Sequence, residues 1–194
     1  MHDRSGRIEV GQPDDGGMHA LVGGLLRRFQ LTALLRHHKA RPVLALFSFV
    51  NGCISIGILA AVALISGEPF IFPSLGPTAF LFFYTPMAPT ASPRNSIVGH
   101  FVGVVVGWLS LAVFGLTDAG SVDFVGMDLP RVGAVALSLG LTSAILVLLG
   151  TPHPPATSTT LIVSLGLMTG LSQFVVLMIA VLLITAYAFM VNRL

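Results

Sequence analysis

Charge is what this sequence has least of. Only 9% of its 194 residues are charged while 54% are hydrophobic, against roughly 25% charged in an ordinary soluble domain. A chain this poor in charge cannot wet a globular surface, so a soluble fold is excluded and a multi-pass membrane protein is expected. Basic residues are confined as well. Seven of the ten Lys and Arg precede Pro42, and beyond it only Arg94, Arg131 and Arg193 remain. No basic groove can be built from three arginines, which excludes nucleic acid as a partner. Cysteine is limited to Cys53, so there is neither an internal disulfide nor a multi-cysteine metal site. Cys53 lies in an apolar run and reads as a small packed side chain. Acids are missing from every long apolar run, since Glu68, Asp118, Asp123 and Asp128 all fall between runs. A cation carrier wants a carboxylate at membrane depth, and these runs offer none.

What is present divides at residue 40. Met1–Gly17 is rich in Gly and Asp, has no periodicity and is expected to lack regular structure. Its polar opening, followed by a first apolar run of 23 residues, does not read as a cleavable secretory signal. In Met18–Lys39, Leu21, Val22, Leu25, Leu26 and Phe29 alternate with Arg27, Arg28, Arg36 and Lys39. That pattern predicts a basic amphipathic helix, docked on anionic lipid at the inner surface or on the protein's own cytoplasmic face. Residues 1–39 are thus a cytoplasmic arm and residues 40–194 a transmembrane domain.

The domain reads as an all-α, polytopic transmembrane helical bundle of four to six apolar segments. Val43–Ile65 is the first clear span, reaching roughly 35 Å at helical rise against a hydrocarbon core of about 30 Å. Its Ser48, Asn51 and Ser55 share a face suited to other helices. Phe70–Tyr84 is short and broken by Pro73, Gly76 and Pro77. Ser96–Leu116 is a span with glycines at 99, 103 and 107, a ridge for close helix packing. Arg131–Leu149 is another span, Thr157–Met168 is again short, and Val175–Val191 closes the chain. Six crossings with the arm inside a plasma (inner) membrane would put Arg94, His153 and Arg193 inside and the acids outside, with Arg131 alone misplaced. Fewer crossings follow if a short segment dips in and returns.

The chain also resembles itself. Ser74-Leu75-Gly76-Pro77-Thr78 matches Ser138-Leu139-Gly140-Leu141-Thr142, and Thr85–Ser92 matches Thr151–Ser158 at four of eight positions. Two related hairpins are expected, each a helix, a proline-rich turn and a helix, with both turns on one side. Arg94 and His153 would then face each other.

The second turn carries the chemistry. Pro155 suits a first helical turn. Helix starts at membrane depth offer N–H groups and a positive dipole end to an anion. Thr157 and Ser158, with Thr159 and Thr160, could donate to it, as could Asn95 at the other turn. Arg94 supplies fixed charge, and His153 and His100 could bind the anion or carry a coupled proton. The bland readings are an anchoring Arg94, a turn-capping His153, and a His100 bonded to a neighbouring carbonyl.

This turn, with His153-Pro154-Pro155 followed by Ala156, resembles the signature of the HPP family of integral membrane proteins. The resemblance extends to Pro93-Arg94-Asn95, Gly99-His100 and Ser74-Leu75-Gly76, and covers residues 40–194. It implies four transmembrane segments and, through plant and cyanobacterial members linked to nitrite transport, a small anion substrate. The family triplet is mostly followed by Gly and Ala, whereas here Thr157-Ser158-Thr159-Thr160 follows. The expected substrate site is therefore His153, Pro154, Pro155, Thr157, Ser158, Arg94, Asn95 and His100, with no cofactor and no metal. An enzyme is set aside, because two histidines without a carboxylate make neither a metal site nor a nucleophile–base pair. The competing class is a non-transporting assembly or sensor module. A homo-oligomer is expected from the small-residue ridge.

Overall fold

Prolines and glycines decide where this chain stops being a full-length helix. The computed structural model describes residues 40–193, so the expected basic arm, with its amphipathic helix, lies outside the described residues. The described chain holds α1 (Ala40–Ser66), α2 (Leu75–Tyr84), α3 (Pro93–Val113), the single turn α4 (Val122–Val125), α5 (Leu129–Leu148), α6 (Pro155–Ser164) and α7 (Leu171–Arg193), with no strand among those residues. A 3₁₀ turn at Pro89–Ala91 precedes α3. Four helices, α1, α3, α5 and α7, are long and apolar enough to cross a membrane. The other two apolar segments are α2 and α6, of ten residues each. Ten residues rise about 15 Å, half the hydrocarbon thickness. The bundle is therefore four spans and two half-length helices.

Each boundary has a local cause. Pro77 sits in the first turn of α2, where its missing N–H has no partner to lose. Ser92 caps α3 by accepting from the Asn95 N–H, and Pro93 opens it. Asp128 caps α5 in the same way through the Arg131 N–H. Gly150 ends α5 at φ +61°, with the Thr151 N–H donating to the Leu146 carbonyl and its own N–H to Val147. Gly166 ends α6 in the same geometry. A residue with a Cβ pays for that left-handed conformation, which is why glycine stands there.

The directions follow from the contacts. α3 packs most extensively on α6, and the two run parallel. Gly99 faces His153 and Ala156, Gly103 faces Ala156 and Thr160, and Gly107 faces Thr160 and Val163. The glycine ridge is spent inside the chain and gives no support to a second copy. α5 runs antiparallel to α6, pairing Thr142 with Thr160 and Ser138 with Ser164. Near the end of α7, Thr185 donates to Ser96 and Asn192 to the Phe82 carbonyl. α1 is held by Phe83, whose ring meets Phe47 and Tyr187 edge-on, and by the Tyr187 hydroxyl donating to Asn51 at 2.8 Å. Asn51 and Ser55 are buried as their shared face requires, while Cys53 is exposed rather than packed.

The result has two unlike ends. Arg41, Arg94, Arg193 and both proline-rich turns lie at one, and Glu68 with the loop carrying Asp118, Asp123 and Asp128 at the other. Between them, Phe82, Phe83, Leu75, Leu111, Leu177 and Val181 form a packed apolar core.

Candidate functional site

The two proline-rich turns touch. Asn95, in the first turn of α3, donates through Nδ2 to the Pro89 carbonyl at 2.8 Å and to the Pro152 carbonyl at 3.5 Å. His153 crosses the same seam, its Nδ1 lying 2.8 Å from the Thr90 carbonyl oxygen. The local sequence dictates this placement. Gly150 reverses the chain, Pro154 and Pro155 start α6 at once, and His153 is left between them with its ring turned inward. Gly99 leaves room, since a Cβ there would stand 3.0 Å from the Cβ of His153.

His100 rises from α3 to meet it. The two rings lie 5.1 Å apart between centroids at 65°. Thr78, in the first turns of α2, joins them. Its Oγ1 lies 2.9 Å from His100 Nε2 and 3.4 Å from His153 Nε2, and it donates to the Ser74 carbonyl at 2.9 Å. On the far side, His100 Nδ1 lies 2.7 Å from Thr159 Oγ1. His100, His153, Thr78 and Thr159 are each at most 1% exposed. The hydroxyls of Ser74 and Thr151 are buried here without a partner, which marks the region as polar beyond its own needs.

The polar line continues down α6. Thr160 accepts from Thr142 at 3.0 Å, and Ser164 accepts from Ser138 at 2.9 Å. Arg131, buried despite its charge, then donates to the Ser164 carbonyl at 3.3 Å and to the Gly120 carbonyl at 2.7 Å. A guanidinium at the carbonyl end of a helix is favoured by the dipole. From Thr90 to Arg131 the interior thus holds a seam of hydroxyls, two imidazoles and one guanidinium. The acids Glu68, Asp118, Asp123 and Asp128 are all exposed.

Of the expected residues, the structure brings together His153, His100, Asn95 and Pro155, all buried. Pro154 is exposed, and Thr157 and Ser158 are half-buried, turned away from the histidines. Thr157 donates to the Pro154 carbonyl, and Ser158 lines a groove with Pro77, Phe80 and Leu81. The N–H groups expected at the start of α6 are occupied, Ala156 donating to the His153 carbonyl and Thr157 to that of Pro154. Arg94 is exposed and makes no hydrogen bond among the described residues, whereas His153 is buried. Thr78, Thr90, Ser74 and Arg131 were not among the expected site residues. A hydroxyl one turn into a proline-broken apolar segment is the signal that Thr78 carried.

A cavity of about 420 Å³ opens at the basic end, lined in part by Phe82, Pro86, Pro89, Thr185, Asn192 and Arg193. Phe82 forms its inner wall and lies against His153, with ring centroids 6.4 Å apart. The Asn192 Oδ1 is buried there without a partner.

Four apolar spans, two half-length helices and a buried histidine pair define an integral membrane protein with a polar interior. The transmembrane region that defines the HPP family matches residues 37–194, and the chain belongs to that family. Comparison with curated proteins and with solved structures gives no match.

Proposed function

We propose that this protein moves a small monovalent inorganic anion across the membrane, with nitrite as the first candidate. The observation that carries the reading is the buried His100–Thr78–His153 cluster, set in an interior that presents imidazoles and a guanidinium and no carboxylate among the described residues. Burying polar groups in a bilayer is costly, so polar groups there default to transport and relay roles. Arg41, Arg94 and Arg193 draw anions to the basic end, which the bias of basic residues toward the inside assigns to the cytoplasm of an inner membrane. The anion enters the cavity behind Phe82, passes that ring to reach His153, and follows the hydroxyl seam of α6 toward Arg131. Thr159, Thr160 and Ser164 replace its water along the way.

Flux into proteoliposomes tests this. Purified protein moves nitrite, nitrate or formate faster than protein-free vesicles. His153→Asn keeps a donor for the Thr90 carbonyl and drops the second ring nitrogen. It retains the fold and lowers flux at least tenfold. A wild type that moves none of these anions leaves the chain as a non-transporting assembly module and ends the transport reading.

A further inference from the structure

The buried cluster can close its hydrogen bonds with one proton more than its neutral form holds. The Thr90 carbonyl only accepts, so His153 Nδ1 carries a proton. In a neutral His153 the other nitrogen, Nε2, is then a bare acceptor. It faces Thr78 Oγ1 at 3.4 Å, but that hydroxyl has one proton and a shorter bond to the Ser74 carbonyl at 2.9 Å. His100 adds no donor for it. Its Nε2 lies 2.9 Å from the same Thr78 oxygen and its Nδ1 2.7 Å from Thr159. Two acceptors, Ser74 O and His153 Nε2, thus face one hydroxyl proton, and of the two the Ser74 carbonyl, at the N-cap of α2, also accepts the first backbone N–H of the helix. One proton added at His153 Nε2 gives the network a second closed form. Thr78 then donates to Ser74 and accepts from both rings, and the Thr159 hydroxyl donates to His100 Nδ1. A second proton would put two imidazolium rings 5.1 Å apart in a dry interior, which like-charge repulsion forbids.

Among the described residues, nothing else near the rings can supply or neutralise the charge. α2 presents Thr78 and Phe82 to them, α3 presents His100 and Gly99, and α6 presents Thr159 and Ala156. The proline-rich turn offers only the Thr90 carbonyl. α7 offers Thr185 and Asn192 at the cavity wall, neither of them ionisable, with Arg193 at its mouth. Each ring is the other's titratable neighbour, and among the described residues no carboxylate faces either. An imidazolium at this place wants a mobile counter-charge.

We propose that the His153–Thr78–His100 cluster takes up one proton with each anion, making the protein an electroneutral proton–anion symporter. This rests on the transport reading above. In the loading step an N–H bond forms at His153 Nε2 and no bond in the protein breaks. The ring's positive charge balances the anion beside it. On release that N–H bond breaks, and the proton leaves on the same side as the anion. Thr78 is a positioning residue, because its oxygen is the shared acceptor that makes the protonated state complete.

Proteoliposomes holding a trapped pH dye decide the matter, with nitrite and nitrate as probes and protein-free vesicles to subtract leakage. The wild type acidifies the lumen by one proton per anion entering, and an inward proton gradient accumulates the anion. A membrane potential set with potassium and valinomycin does not change the rate. Thr78→Val, of nearly the same shape, loses at least tenfold of the proton-driven uptake while eluting as the wild type does in detergent. Thr78→Ser restores it. Anion entry without lumen acidification, or entry driven by the potential, overturns the symport and leaves transport standing. A Thr78→Val protein that still couples also overturns it. A wild type that moves no anion overturns both readings together.

Discussion

Arg131 is the largest fully buried side chain among the described residues, and a full charge at that depth needs a reason. Its hydrogen bonds go to carbonyls, not to an acid, and they close the end of α6 against the loop at Gly120. Replacing it with methionine keeps the length and removes the donors. The buried Ser164 carbonyl would lose its bond at about 1–3 kcal/mol, while that of the exposed Gly120 can turn to solvent. Arg131→Met is expected to lower the unfolding temperature in detergent and to open the 114–128 loop to protease, read by digestion kinetics. An unchanged temperature would mean that the guanidinium holds nothing. At this scale sequence saw half the site. His153 and His100 stood out because histidine is rare in apolar runs. Thr78 did not, since its partners lie 22 and 75 residues away and a threonine in a span is ordinary. Arg94 and Arg131 both stand in the first turn of a helix, and it is packing that leaves the first exposed and the second buried.

The α3–α6 interface is the most extensive between helices of the described residues. A Cβ at Gly103 would stand 2.7 Å from the Ala156 carbonyl oxygen, and one at Gly107 would stand 2.7 Å from Val163 Cβ. Backbone cannot step aside as a flexible side chain can. Gly103→Ala is thus expected to cost about 1–3 kcal/mol by overpacking, measured as a loss of thermal stability in detergent. Gly57→Ala is the control, because nothing lies within 4 Å of a Cβ there, and it leaves stability unchanged or higher. The prolines at 73, 77, 152, 154 and 155 marked both half-length helices in advance. The inward face of α6 was not legible. Thr157, Ser158, Thr159 and Thr160 step by about 100° each and cover every side of a helix, so hydroxyls alone cannot say which two point in. The glycines of α3 decide it, by letting Ala156, Thr160 and Val163 approach. The two hairpins resembling each other in sequence also become different things. Ser74-Leu75-Gly76 opens a half-length helix, while Ser138-Leu139-Gly140 lies midway along the 20 residues of α5.

Over the whole molecule, the alternation of six apolar segments puts the start of α1 and the end of α7 at one end and the acidic loops at the other. Single cysteines in a Cys53→Ala background test this. Met87 and Phe124 are each 91% exposed and sit at opposite ends. Met87→Cys and Phe124→Cys are expected to react with an impermeant maleimide from opposite sides of the membrane. Labelling of both from one side would refute the alternation.

The membrane class, the apolar segments and the breaks between them were determined by sequence alone, with four to six of those segments left to cross. Hydrophobic length and the positions of proline and glycine are local properties, and bilayer thickness turns them directly into spans and half-spans. The polar seam was decided only by the tertiary structure. Its members come from α2, α3, α5, α6 and the proline-rich turn, and each looks ordinary in its own segment. They become a site because close α3–α6 packing excludes water, and buried polar groups without water must find one another.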